Sequence, residues 1–164
     1  MKIQLLVLTF VIGALTSNAS VADEQQHQHG LNIPAEIKPI LTKEMLAIEK
    51  GMQELVSSIA KGEWDKTASI GKQIQASYIL KQSLTAEQKQ QLHHNLPEQF
   101  IRQDRAFHKY AGMLAHAAKA KNKDVINFYF YKMNESCNQC HSRYAQERFP
   151  GFVDPKEKHT EHKH

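Results

Sequence analysis

The sequence predicts an all-α protein, an antiparallel four-helix bundle. Three observations carry this expectation. Apolar residues recur at alternating intervals of four and three in separate long segments, the seam pattern of packed helices. The segments are joined by short connections rich in turn and cap residues. No stretch alternates apolar and polar residues as a half-buried strand would.

Pro34 opens the first helical stretch, which runs to Lys61-Gly62 and carries Leu41, Met45, Ile48, Met52, Leu55 and Ile59 on one stripe. Gly62 stops it. A second helix is expected from Asp65 to Lys81, with Ile70, Ile74 and Tyr78 on one face. Residues 83–96 form a connection with a short helix of its own, since Thr85 and Gln88 have capping-box spacing. Pro97 suits the first turn of a third helix, expected over 97–121 with Phe100, Phe107, Ala111, Leu114 and Ala118 in register. Asp104 interrupts that stripe, near Arg105 and His108, and reads either as a solvent-facing end or as a polar contact inside. Asn122-Lys123-Asp124 turns the chain, with Asp124 as the expected N-cap. The fourth helix, over 125–148, carries Ile126, Phe130, Met133, Cys137, Cys140 and Tyr144, and Pro150-Gly151 ends it.

The strongest chemical signal lies on that last stripe: Cys137-Asn138-Gln139-Cys140-His141. Cys-x-x-Cys-His is the attachment signature of a c-type haem. Two thiols form thioethers with the vinyl groups on one porphyrin edge, and the following histidine ligates the iron from below. On a helix Cys137 and His141 are i and i+4 and share a face. A zinc site would need two further ligands, and Cys137 and Cys140 are the only cysteines of the 164 residues. A thioredoxin-like redox pair would need a βαβ context that the helical pattern denies. One covalently attached haem c is the expected cofactor.

The ends fit an exported protein. Residues 1–22 read as a secretory signal peptide: Lys2, an apolar run from Ile3 to Leu15, and a small-residue cleavage site at Ser17-Asn18-Ala19 or Ser20-Val21-Ala22. The run is short for a membrane span, so no stable membrane insertion is expected after cleavage. Export to the periplasm agrees with haem attachment outside the cytoplasm. Residues 23–33 and 151–164 read as flexible polar tails, and residues 34–150 as the four-helix haem domain, one core's worth of chain. The tails carry His27, His29, His159, His162 and His164. Their composition suits disordered ends, the alternative being weak capture of copper, nickel or zinc.

Charge is nearly balanced. Without Lys2, 20 basic residues face 17 acidic ones, a net of +3. No basic stripe suggests nucleic acid; a docking face for a periplasmic redox protein is the expected partner surface. No nucleophile triad, paired-carboxylate motif or phosphate loop stands out, so an enzyme is not expected.

In an up-down-up-down bundle the first and fourth helices are antiparallel neighbours. The level of the first helix opposite His141 then falls near residues 42–46, where Met45 lies on the stripe. Met52 would sit roughly 10 Å deeper. Met45 is therefore the candidate sixth ligand, a thioether partner that raises the potential of His-ligated iron. Ordinary core filling is the competing role for this methionine. His108 on the third helix is the rival ligand, and the third option is an open sixth site that binds small gases.

These features together resemble the class II cytochromes c, the cytochrome c′ family and its low-spin relatives, over residues 34–150. The resemblance rests on the Cys137–His141 motif near the C-terminal end, on Lys61-Gly62-Glu63 closing the first helix, and on Met45 sixteen residues before Lys61. It implies a periplasmic four-helix bundle, often homodimeric, with haem linked to Cys137 and Cys140 and ligated by His141. Low-spin members use a methionine at the position of Met45; high-spin members leave the site open. No arginine stands just ahead of Met45, and the connection before the third helix lacks a Phe-Pro-Gly-rich loop, so no residue is assigned to the propionates. The expected function is one-electron transfer through a His/Met-ligated iron. The alternative is a five-coordinate haem that binds nitric oxide or carbon monoxide.

Overall fold

The computed structural model describes residues 31–76 and 83–153. Among them the chain forms five α-helices: α1 Lys38–Lys61, α2 Trp64–Gln75, α3 Ala86–Asn95, α4 Glu98–Lys119 and α5 Lys123–Tyr144, followed by a 3-10 turn at Pro150–Phe152. No strand occurs among the described residues. The signal segment, the two His-bearing tails and Tyr78 lie outside the described residues, except that residues 31–33 and 151–153 of the segments read as tails are described.

Local chemistry explains the boundaries. Pro34 does not begin the helix; its carbonyl accepts the N–H groups of Ile37 and Lys38 in a turn, at 2.9 and 3.2 Å. Pro39 is the reason, because a proline lacks the donor and crowds the preceding turn, and so must sit in the first turn of α1. Gly62 ends α1 in the left-handed region, at φ 70°. The N–H groups of Gly62 and Glu63 go back to Ile59 and Ser58, the Schellman arrangement. Thr85 and Gln88 close the expected capping box at the start of α3. Pro97 stands just before α4 as its N-cap, not inside the first turn. The cap of α5 is Asn122, not Asp124: its side chain accepts from the N–H of Val125 at 3.2 Å, and Asp124 falls within the first helical turn. That turn still gains from an acidic residue beside unpaired N–H groups.

The helices pack as a chain of neighbours: α1 on α2, α2 on α4, α4 on α5. Their shared core holds Leu55, Ile74, Leu114, Ile126 and Met133, all fully enclosed, with Ala111 and Ala118. The α2–α4 crossing is close because Gly71 faces α4. A Cβ there would stand 2.8 Å from the Ala111 carbonyl oxygen. The hydroxyls buried between α1 and α2 are paired: Thr67 Oγ1 lies 2.9 Å from Ser58 Oγ, and Ser58 Oγ donates to the Leu55 carbonyl at 3.3 Å.

One difference from the stripe expected on α1 matters for function. The enclosed residues are Glu44, Ile48, Gly51, Leu55 and Ser58. Ile48 and Leu55 belong to both stripes, while Met52 and Ile59 pack against the core only in part. Leu41 and Met45 point elsewhere, toward α5 across an open cavity. The small and polar residues at 51 and 58 form a second buried face; Ser58 meets Thr67 of α2 there.

Candidate functional site

The helices that begin and end the bundle are not closely packed partners along their length. Between them lies a cavity of about 1400 Å3, walled by α1, α4, α5 and the turn after α5. Its volume exceeds the roughly 300–1,000 Å3 of ordinary small-molecule pockets. Apolar walls come from Leu41, Leu46 and Ile48 on α1 and from Phe100 and Phe107 on α4.

Cys137, Cys140 and His141 all line this cavity from α5. The helical periodicity of the last stripe is why: Ile126 and Met133 on it are driven into the core, which turns the next two turns toward the opening. Both cysteines are free thiols. Burial raises the Cys137 thiol above its ordinary range. Burial, then the charges of Asp104 and Cys137, push Cys140 up to about 11. Both are therefore neutral thiols at physiological pH, and the Cys140 Sγ donates to Gln103 Oε1 on α4 at 3.7 Å.

His141 is biased toward its uncharged form. Burial, helped by the nearby Arg148 guanidinium, lowers its pKa, against the opposing charge of Glu49 on α1. A neutral imidazole is what metal ligation requires. Its ring stacks on Phe149, with centroids 4.0 Å apart and planes 12° apart.

Met45 lines the same cavity from α1, 37% exposed in this structure. The sequence-predicted set of Cys137, Cys140, His141 and Met45 is thus brought together on one space. His108 is not among the residues lining it. Its Nδ1 donates to the Ile74 carbonyl on α2 at 2.5 Å, and its Nε2 faces Asp104 at 3.5 Å. The helix interface, not the cavity, engages that imidazole. Asp104, the interruption in the α4 stripe, meets both alternatives: it pairs with the largely buried His108, and its own side chain is 44% exposed.

Several lining residues escaped the sequence reading. Leu31, Ile33 and Val153 belong to segments read as tails yet border the cavity. Ile37 beside them is fully buried. Phe149 and Arg148 fell at the expected end of a longer helix, but α5 stops at Tyr144 and a turn brings them back to the site. The signal was present in Pro150, which restrains Phe149 to non-helical backbone, and in the apolar pair Phe149 and Phe152 directly behind a polar stretch.

Two thiols, an uncharged imidazole and a thioether around an apolar slot suit a covalently attached haem. Among the described residues no group of three or more His, Cys, Asp or Glu is placed to hold a metal ion. No described helix is long and apolar enough to cross a membrane. No curated protein and no solved structure matches the chain. Comparison with protein families matches residues 40–145 to the family described as Cytochrome C', a span that contains Met45, both cysteines and His141. The chain, an all-α helical bundle with a haem c motif in its last helix, belongs to the cytochrome c′ family.

Proposed function

We propose that this protein is an exported, periplasmic one-electron carrier with a single haem, linked to Cys137 and Cys140 and ligated by His141 and Met45. The observation that carries this reading is that Met45 and His141, on helices from opposite ends of the bundle, line one apolar cavity. The bound group supplies a ferric/ferrous couple, which a His/Met ligand pair poises for electron transfer.

The chain's own residues do the rest. The uncharged His141 offers a lone pair without first losing a proton. Neutral thiols at 137 and 140 resist adventitious thiolate chemistry until they are attached. Leu41, Leu46, Ile48, Phe100 and Phe107 give the slot apolar walls. Met45 has an unbranched, adaptable side chain on the opposite wall, suited to reaching across. Partners on this reading are periplasmic redox proteins that approach the open side of the cavity; neither nucleic acid nor a membrane is involved, and the chain carries no catalytic residues.

Membership of the cytochrome c′ family favours a second reading, a five-coordinate haem that binds nitric oxide or carbon monoxide. On that reading Met45 is wall, not ligand. Absorption spectra of the ferric and ferrous protein, with and without carbon monoxide, separate the two. Sharp low-spin ferrous bands that resist carbon monoxide support the carrier. A high-spin ferrous spectrum converted at once by carbon monoxide supports the gas-binding protein.

A further inference from the structure

The turn that follows α5 folds back on the helix that carries the haem motif. α5 ends at Tyr144, and Ala145 leaves helical geometry at φ −141°. The Ala145 carbonyl then accepts from the N–H groups of Arg148 and Phe149, both at 3.0 Å. Had the helix continued, Phe149 would lie eight residues, roughly 12 Å, along the axis from His141. Instead the two rings stack face to face at 4.0 Å and 12°. Phe152 meets the same imidazole edge-on at 6.5 Å and 61°, and the Arg148 guanidinium lies 5.9 Å from the Phe149 ring centre.

A face-to-face stack covers the π-surface of the imidazole and leaves its edge, where both nitrogens lie, clear. Stacking and ligation by His141 are therefore compatible. The stack also supplies a restraint that the helix does not. A histidine's terminal torsion is broad and roughly two-fold, so its own rotamer preference leaves the ring plane loosely set. A flat partner against the face sets it.

We propose that Phe149 is a positioning residue that fixes the plane of the His141 imidazole, and with it the rotation of the proximal ligand about its bond to the haem iron. This rests on the haem reading given above. Outer-shell groups that orient a ligand tune the metal it holds. Such a histidine is often oriented by a hydrogen bond; here an aromatic face from a sequence-local turn lies against it. Phe152, edge-on and 40% exposed, contributes the side wall and not the plane.

The test is the 1H NMR spectrum of the ferric holoprotein, in which the order and spread of the four haem methyl resonances report the orientation of the axial imidazole plane. Phe149→Leu, with Phe149→Met as a second unstacked variant, is expected to reorder or re-space the methyl resonances. Phe149→Tyr, which keeps a flat ring, is expected to restore the wild-type pattern, and Phe152→Leu to leave it in place. A wild-type pattern in Phe149→Leu and Phe149→Met overturns the proposal. So does failure of Phe149→Tyr to restore it, an equal change in Phe152→Leu, or failure of both unstacked variants to fold and load haem, which would make Phe149 a structural residue only. Absence of covalently bound haem from the wild-type chain would instead remove the haem reading on which the inference stands.

Discussion

Met45 on α1 and His141 on α5 face one cavity, and Glu49, one turn beyond Met45, already acts on the charge of His141 from across it. Two helices that are not closely packed partners are thus coupled through the space between them. The bundle is held by the α1–α2, α2–α4 and α4–α5 contacts, which leaves the α1–α5 seam free to be parted by a prosthetic group. Stability and site are consequently separable, and each can be tested without the other.

The α2–α4 crossing depends on Gly71. Alanine would gain about 1 kcal/mol in helix propensity, but its methyl group would meet the Ala111 carbonyl at 2.8 Å and the Ala115 Cβ at 3.0 Å. Backbone cannot swing aside as a side chain can, and such overpacking costs roughly 1–3 kcal/mol or more. Gly71→Ala should destabilise the protein by about 1 kcal/mol net in urea unfolding. An unchanged or higher midpoint would mean that the helices are not this close.

Asn122, not Asp124, satisfies an orphan N–H of α5. Asn122→Ala should cost about 1 kcal/mol. Asp124→Ala should cost only a few tenths, through the helix dipole. The reverse order in thermal melts would restore Asp124 as the cap.

His108 ties α2, α4 and α1 together. Burial works against its charged form, but the hydrogen bond and charge of Asp104, the Ile74 carbonyl and the charge of Glu44 on α1 outweigh burial and raise its pKa above 6.5. A raised folded-state pKa stabilises below the unfolded value and is lost as pH rises through the folded one. The melting-temperature advantage of wild type over His108→Gln should therefore be greatest at about pH 5 and shrink by about pH 8. A gap that widens with pH would show that the imidazole is held neutral.

The buried hydroxyl pair at the α1–α2 interface gives a fourth test. Thr67 Oγ1 contacts Ser58 Oγ at 2.9 Å and the Glu63 carbonyl at 3.0 Å, fully enclosed. Thr67→Val keeps the shape and removes the hydroxyl, so it should cost about 1–2 kcal/mol by leaving the buried Ser58 hydroxyl without its partner. Neutrality in chemical denaturation would mean that water reaches this pair.

What the sequence disclosed, it disclosed through period and spacing. Ile48, Leu55, Phe107, Ala111, Leu114, Ile126 and Met133 were legible because burial there is apolar and periodic. The haem motif was legible because thioether chemistry dictates its spacing. The capping box at Thr85 and Gln88 was legible because two reciprocal hydrogen bonds need those types three apart. The second buried face of α1 was not: Glu44, Gly51 and Ser58 are enclosed without being apolar, and so leave no hydrophobic trace. The return of Phe149 onto His141 was hidden for a different reason. A helix-favouring run through 148 masks the earlier end at Tyr144, where a local turn closes on the Ala145 carbonyl, and Pro150 alone hints at it. The placement of Met45 on the seam was half right. The residue faces α5, but across a cavity and not within the packed core.

The most direct test of the central claim is the optical spectrum and reduction potential of haem-loaded Met45→Ala beside wild type. A His141/Met45 pair predicts that the variant loses the low-spin spectrum, binds carbon monoxide in the ferrous state and falls in potential. A variant with the wild-type spectrum, ligand binding and potential would contradict the account and leave Met45 as part of the wall.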